Sequence, residues 1–475
     1  MPYIDKIRLP IDTFDNWTLT SKQNNMLSHI RRLFKDDKFK KINLYNKYLG
    51  KNGCFDLCSC SANNIYVSFP QYISDVVTGL LAGKEPIINV INDKDSHAEF
   101  AKEIDLIKNF NDEKLKHYEM MKDYIITSAG YQILSFKDGG TIEYNRIPPW
   151  QCIGIYSDDI KSELIAVYYE YETHNYSNNT VVIKSHIYTK KNIIRMAYTS
   201  DVPTIIDTKP HLLNDVPVIV VEQPDGLGYF EPILSLNSAY NQLLQNMANT
   251  HEFNDKHTKL KIKNHQPPEH QTVEEFVRNI DKAGAFFVGD NGDVEYLTKH
   301  IEDGAIVNYK NELVNIIQML TGIPNMLDES FASNSSGVAL SYKMYAHEQK
   351  ATNIDRIFTS AYKRKWSIIT DYLNTTTKFT DTNKYDATDI SISFVRNMPT
   401  NTKELIENAI KLYPYIPKKI FYELLPYDYS PDEMVELLDA QEEKEYNGAF
   451  DRFNNNKNIY TYKEIDDSEE DEKDE

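Results

Sequence analysis

Two apolar helical patterns, one opening near Phe230 and one running from Ile301 to Leu320, flank a charged stretch over residues 259–300. The first places Leu236, Tyr240, Leu243, Leu244 and Met247 on one side of a helix. The stretch between them holds Pro267-Pro268, a short helical pattern from Val273 to Ile280 and a strand-like Ala285-Phe286-Phe287-Val288. A chain in this order goes down one helix, builds a tip and returns up the other. Any fold for this sequence must carry that excursion.

The second pattern stops at Thr321-Gly322-Ile323-Pro324. A polar loop with little to bury follows: Asn325, Met326, Leu327, Asp328, Glu329, Ser330, Phe331, Ala332, Ser333, Asn334, Ser335, Ser336 and Gly337. Loops without a packing role concentrate function. A helical pattern then runs from Val338 to Leu373, roughly 54 Å at about 1.5 Å per residue. Its distal half carries Ile354, Ile357, Phe358, Ala361, Ile368, Ile369 and Tyr372 on one stripe. Lys343, Lys350, Arg356, Lys363, Arg364 and Lys365 lie along it among Glu348, Asp355 and Asp371. The plain reading is a solvated face of mixed charge; the functional one is a moderate positive lining near a polyanion.

Upstream, residues to about 140 read as mainly helical. Tyr72, Ile73, Val76, Val77, Leu80 and Leu81 form a helical stripe that Gly83 and Pro86 terminate. A second helix is expected from about Ser96 to Gly130, with Phe100, Ile104, Ile107 and Phe110 on one face. From Tyr131 to Val221 β-branched and aromatic runs such as Ala166–Glu172, Val181–Ile183 and Val216–Val221 predict one small antiparallel sheet. Downstream, Ile390–Phe394 alternates as a strand, and Thr402–Leu412 and Pro431–Glu445 read as helices. The last thirty residues are expected to be disordered. The fold class is α+β, predominantly helical.

The net charge is −19, of which Glu464 to Glu475 contributes −8, leaving about −11 for the rest. A whole-chain basic footprint for gripping nucleic acid is absent. Thirty-three tyrosines suit large subunit interfaces as well as ordinary cores. No secretory pattern opens the chain and no apolar run approaches the roughly 20 residues of a membrane span. Synthesis in the cytosol is the expectation, with no membrane partner.

Catalytic signatures are missing. There is no phosphate loop, dinucleotide fingerprint, nucleophile elbow or His-Glu-x-x-His. Cys54, Cys58 and Cys60 lie close together and Cys152 could supply a fourth ligand, but a second paired knuckle is lacking, so ordinary thiols are the better reading. His251, His257, His265 and His270 read as solvated, and Asp328-Glu329 as loop acids. No metal, cofactor or catalysis is expected.

Four stretches in order carry a resemblance: Phe69-Pro70-Gln71-Tyr72 through Gly83-Lys84-Glu85-Pro86; Val216–Ile219 with Gly228–Ile233 and Ala239-Tyr240-Asn241; Thr321-Gly322-Ile323-Pro324 through Ser336–Leu340; and Ile416-Pro417-Lys418-Lys419 with Leu425-Pro426 and Pro431-Asp432-Glu433. Across residues 60–445 the chain resembles the portal proteins (head-tail connectors) of tailed bacteriophages, built from wing, stem, clip and crown. Ile416-Pro417 departs from the Ser or Thr common at that helix start and relies on Pro in the first turn instead.

The resemblance implies a ring of identical subunits, usually twelve, around a channel at one capsid vertex. Residues 1–228 would form most of the wing, 229–258 and 301–323 the paired stem helices, and 259–300 the clip. Residues 324–337 would be the tunnel loop facing double-stranded DNA, 338–399 the long wing helix and return strand, 400–445 the crown, and 446–475 an acidic tail. Lys343 and Lys350 are candidates for the channel side. Lys261, Lys263, Glu269, Glu274, Glu275 and Arg278 of the clip would dock the terminase large subunit and later the head-tail adaptor. Major capsid and scaffolding proteins would be the other partners, in the virion. A non-ring minor capsid or adaptor protein is the alternative, and a virion-associated DNA-processing enzyme a weaker one.

Overall fold

The computed structural model describes residues 6–14, 17–18, 20–51, 65–91, 97–137, 140–175, 179–199, 202–257, 259–263, 270–283, 291–297, 303–323, 337–376, 384–397, 402–417, 421, 438 and 441. The chain divides into two compact units, Met1–Asn397 and Met398–Glu475.

The first unit opens with β1 (Ile7–Leu9) and α1 (Ser21–Tyr48). Thr20 starts α1 with a capping box: its hydroxyl accepts from the Gln23 N–H, and the Gln23 side chain accepts from the Thr20 N–H. Next come α2 (Phe69–Ala82), β2 (Ile87–Val90), α3 (His97–Asn111) and α4 (Glu113–Thr127). In α2 Ile73, Val77, Leu80 and Leu81 are buried as their spacing predicts, while Tyr72 faces solvent. Gly83 closes α2 with ordinary φ; a side chain there would collide with Asn397, whose N–H donates to the Leu80 carbonyl at 2.9 Å.

The single helix expected over 96–130 is two. Asp112 takes a left-handed φ of 51°, which ends α3, and its carboxylate accepts from the Leu115 N–H to start α4. The break turns Phe110 outward, 45% exposed, and lets Phe100, Ile104 and Ile107 stay in the core.

The expected single sheet is also two. One has the order β1-β5-β6-β7-β8-β9, with β5 (Cys152–Ser157), β6 (Leu164–Asn175), β7 (Thr180–Thr189), β8 (Asn192–Thr199) and β9 (Val202–Pro210). Its pairs are antiparallel except β1 on β5. The other sets β10 (Val218–Glu222) against β3 (Ala129–Phe136), with β4 (Ile142–Ile147) outside. α1 lays Leu27, Ile30 and Phe34 on the first sheet against Ile155, Tyr168 and Ile194. Phe34 meets the Tyr168 ring edge-on at 5.3 Å.

Beyond β10, α5 (Leu234–His257), β11 (Lys259–Lys263), α6 (Val273–Ala283), β12 (Asp293–Leu297) and α7 (Asp303–Thr321) make the excursion. The strand expected at Ala285–Val288 lies outside the described residues; β12 is the strand that pairs with β11. α8 (Gly337–Thr376) is the long helix, and β13 (Ile390–Ser393) returns to pair antiparallel with β2.

The main core gathers around α8. Phe358, Tyr362, Trp366 and Ile369 pack with Val77 of α2, Phe100 of α3, and Met121 and Ile125 of α4. Burying each of these contributes about 1.5–3 kcal/mol. In the second unit α9 (Thr402–Leu412) forms over the expected residues. The Phe421 N–H donates to the Pro417 carbonyl at 3.1 Å. The helix expected over 431–445 and the acidic tail fall almost wholly outside the described residues. Among the described residues no helix is long and apolar enough to cross a membrane.

Candidate functional site

The excursion is anchored at its base by polar side chains. Asn237, Asn241 and Gln245 repeat every four residues on α5 and are buried. Asn241 binds both backbone groups of Val67, Asn237 accepts from the Phe69 N–H, and Gln245 donates to the Ile65 carbonyl. The ladder stitches α5 to the extended chain before α2 and meets that segment's backbone hydrogen-bonding needs.

Tyr229 ties the two ends of the excursion together. Its hydroxyl donates to the Thr321 carbonyl at 3.0 Å and lies 3.4 Å from Nδ1 of His347 on α8. Burial raises the Tyr229 pKa, which keeps the hydroxyl a donor. Gly322 follows with φ 74°, and a Cβ there would sit 3.3 Å from the Ala346 and His347 backbone. Glycine meets both demands at once. Lys350 of α8 completes the joint: its ammonium donates to the Leu320 carbonyl at 2.5 Å and lies 5.2 Å from the centre of the Tyr229 ring. A cation on the last carbonyls of α7 also opposes the negative end of that helix. Burial pushes the pKa of Lys350 and of His347 down.

Further out the excursion exposes its side chains. β11 and β12 place Lys261 opposite Glu295 and Lys263 opposite Asp293, with ion pairs at 2.5 and 3.2 Å. The Lys261 ammonium holds the Glu295 carboxyl below its ordinary value. On α6, Glu274, Glu275 and Arg278 face solvent, and Glu275 exchanges capping hydrogen bonds with Thr272. Val273 and Val277, one turn apart on α6, are 66% and 49% exposed. Glu269 lies outside the described residues.

The loop residues Asn325–Ser336, Asp328 and Glu329 among them, also lie outside the described residues. Gly337 does not belong to the loop: it is the first residue of α8. Lys343 sits on α8 but its side chain is not described. Lys350 is described, and its ammonium is bound to the end of α7.

Neither reading of the basic residues on α8 holds for Arg364 and Lys365. Arg364 binds Asp215 and the carbonyls of Val216 and Val218, each at 2.9 Å. Lys365 is fully buried and donates to both oxygens of Glu113 at 3.0 and 2.8 Å. Tyr144 and Tyr362 also donate to Glu113, and the Lys365 ammonium sits 3.6 Å from the Tyr144 ring centre. Burial pushes the Glu113 carboxyl up, but the ammonium and these hydrogen bonds bring it below its ordinary value. These two cations serve the core rather than a solvated face or a channel. Further along, Arg396 spans Glu348 and Asp355 of α8 at 3.0 and 2.6 Å.

Nothing described assembles a catalytic constellation. Cys152 is buried and its thiol is pushed up by burial, while Cys54, Cys58 and Cys60 lie outside the described residues. His251 and His270 are exposed. Among the described residues no group of three or more His, Cys, Asp or Glu is placed to hold a metal.

The profile of the family described as "Phage portal protein, SPP1 Gp6-like" matches residues 35–448. The chain belongs to this family of phage portal proteins. Residues 35–448 take in the second half of α1, every strand of the two larger sheets except β1, the whole excursion, α8 and α9. Among solved structures, a chain from the neck of an empty gene transfer agent (GTA) particle is 11% identical, with a TM-score of 0.43 over 79% of this portal-family chain and 99% of its own. A chain from the virion of the native GTA particle is 11% identical, with a TM-score of 0.42 over 81% and 93%. No protein of curated function matches it.

Proposed function

We propose that this chain is the repeating subunit of a portal ring, twelve in the virion, at one capsid vertex. Double-stranded DNA would be packaged, retained and ejected through its channel. The observation that carries this reading is the family match over residues 35–448. In this reading α5 and α7 are the stem, β11–α6–β12 the clip, α8 the wing helix and α9 part of the crown. Val307, Met319 and Leu320 of α7 are exposed in the single chain, as ring contacts between neighbouring subunits require.

The charge fits passage rather than capture. Each neutralised phosphate adds salt-dependent affinity, and many such contacts would stall moving DNA. A chain of net charge −19 avoids that. The tunnel loop, residues 325–336, would form the collar around DNA, with Asp328 and Glu329 repelling phosphate. Lys343 remains a channel-side candidate. Lys350 joins the stem to the wing helix. The exposed face of α6, with Glu274, Glu275 and Arg278, and the Lys261 and Lys263 edge would meet the terminase large subunit and then the adaptor. Capsid and scaffolding proteins would surround the wing. ATP hydrolysis would belong to the motor, not to this chain.

Electron microscopy of the purified protein tests the reading. Rings with a central hole are expected; a uniform population of monomers under assembly conditions would overturn it. Deleting residues 325–336 tests the loop separately: assembled particles should package or retain less DNA, and unchanged packaging and retention would remove the collar assignment.

A further inference from the structure

Both larger sheets reach α1 at Lys41. This residue is 3% exposed, and Asp37, one turn earlier on the helix, is 7% exposed. The Lys41 ammonium lies 2.6 Å from Oδ2 of Asp37. It also donates to the Tyr131 hydroxyl of β3 at 3.2 Å and to the Cys152 carbonyl of β5 at 3.3 Å. A second carboxylate stands behind the pair. Glu222, at the end of β10, accepts from the hydroxyls of Tyr131 and Tyr156, each at 2.7 Å. Tyr131 thus links the Lys41 ammonium to the Glu222 carboxylate.

Asp-to-Lys pairs one turn apart are common on helix surfaces, where water solvates both charges. Here both are enclosed. Taking two charges out of water is costly, and a neutral amide in their place removes that cost. Burial raises the Asp37 carboxyl above its ordinary value, although the Lys41 ammonium pulls it down. That favours the protonated acid, the form an amine can attack. Asp37, Lys41, Tyr156 and Glu222 also line a cavity of about 80 Å³, more than one water needs.

We propose that Lys41 and Asp37 condense to an amide, a covalent staple across one turn of α1, with Glu222 taking up a proton through Tyr131. The ammonium first gives one proton to the Asp37 carboxylate across the ion pair. The neutral Nζ then attacks Cγ of Asp37, and the N–C bond forms. A second Nζ proton passes to the Tyr131 oxygen as the Tyr131 proton passes to Glu222. Glu222 gives that proton to the departing hydroxyl across the cavity that both side chains line. The C–O bond breaks and water leaves into the cavity. One amide and one water replace the ion pair, Glu222 and Tyr131 end as they began, and nothing is oxidised or reduced. The staple fixes α1 where it meets both sheets, and it does not depend on the ring reading.

Mass spectrometry of the full chain and of its tryptic digest tests this. The parent should weigh one water less than its sequence requires. Cleavage after Lys38 and Lys40 should leave two pieces joined as one branched peptide, with fragment ions placing the link at Asp37 and Lys41. Lys41→Arg keeps the positive charge but not the amine, and should have its full mass. Glu222→Gln keeps the side chain's shape but not the proton acceptor, and should also have its full mass. The parent decides the matter whether or not the variants fold: a parent at full mass overturns the proposal. So does a lost water that maps to Asp225-Gly226 or Asp303-Gly304, where closure to a succinimide also sheds water, or that persists in Lys41→Arg. A Glu222→Gln chain linked as fully as the parent overturns the proton path.

Discussion

The surroundings of Lys365 and the surface of α6 sit at opposite ends of one scale. Around Lys365 the charge is fully enclosed and answered: Glu113 takes the ammonium, and two tyrosines bind Glu113 as well. On α6 the apolar residues Val273 and Val277 stand in solvent beside Glu274, Glu275 and Arg278. The first region is complete within one chain. The second is a surface whose apolar turn gains its stabilisation only when something covers it. In the proposed ring, the body would fold alone and the excursion would be finished by its neighbours.

The largest effect should come from breaking the enclosed side. Lys365→Met strands the Glu113 carboxylate in the core and should destabilise the chain by about 3–5 kcal/mol, read as a fall in the urea midpoint. Adding Glu113→Gln to it should restore part of that loss, because the unpaired charge is then gone. A double variant no more stable than the single would show that Glu113 is not charged in the fold.

A smaller effect in the same core depends on pH. Burial holds His117 at about 4, against an ordinary value of 6.5. Between those values the unfolded chain takes up a proton that the folded chain refuses. Stability from this group is therefore fully present above the upper value and declines as pH falls towards the lower, by up to about 3 kcal/mol. Glu113, held low, adds loss in the same direction at more acid pH. His117→Gln should flatten the profile between pH 6.5 and 4 relative to the parent; parallel profiles would show that the imidazole titrates normally.

The smallest effect on folding should be on the exposed side. Val277→Asp should change the stability of the isolated chain by less than about 0.5 kcal/mol. Its consequence should appear in assembly, as lighter species in sedimentation. Rings of unchanged mass and stability would place the covering partner elsewhere.

Periodicity made the long elements readable and hid the long-range pairings. The stripe from Ile354 to Tyr372 is legible because a helix repeats its buried face every three to four residues, and Phe358 and Ile369 are indeed fully enclosed. The break at Asp112 was missed because apolar spacing continues across it; the cue was Asn111-Asp112 before Glu113, a helix-start signal inside an apparent helix. β12 alternates as Asp293-Val294-Glu295-Tyr296, a further strand pattern overshadowed in the sequence by the denser apolar run at Ala285–Val288, which lies outside the described residues. The roles of Arg364, Lys365 and Lys350 could not be read locally. Their partners lie at Asp215, Glu113 and Leu320, and a basic residue on a helix looks the same in sequence whether it meets solvent, a core carboxylate or a carbonyl. Tyr229 falls within Gly228–Ile233, a stretch that carries the family resemblance, while His347 has no local signal in the sequence around it.

The bond from Tyr229 to the Thr321 carbonyl has a consequence for descent. The ladder of Asn237, Asn241 and Gln245 and this bolt hold the base of the excursion, so the length and content of its tip, β11–α6–β12, are set largely apart from what lies behind. Such a segment behaves as a cassette. If the chain acts as proposed, that tip could change to suit a different docking partner while Tyr229, Gly322 and Lys350 stay as the joint.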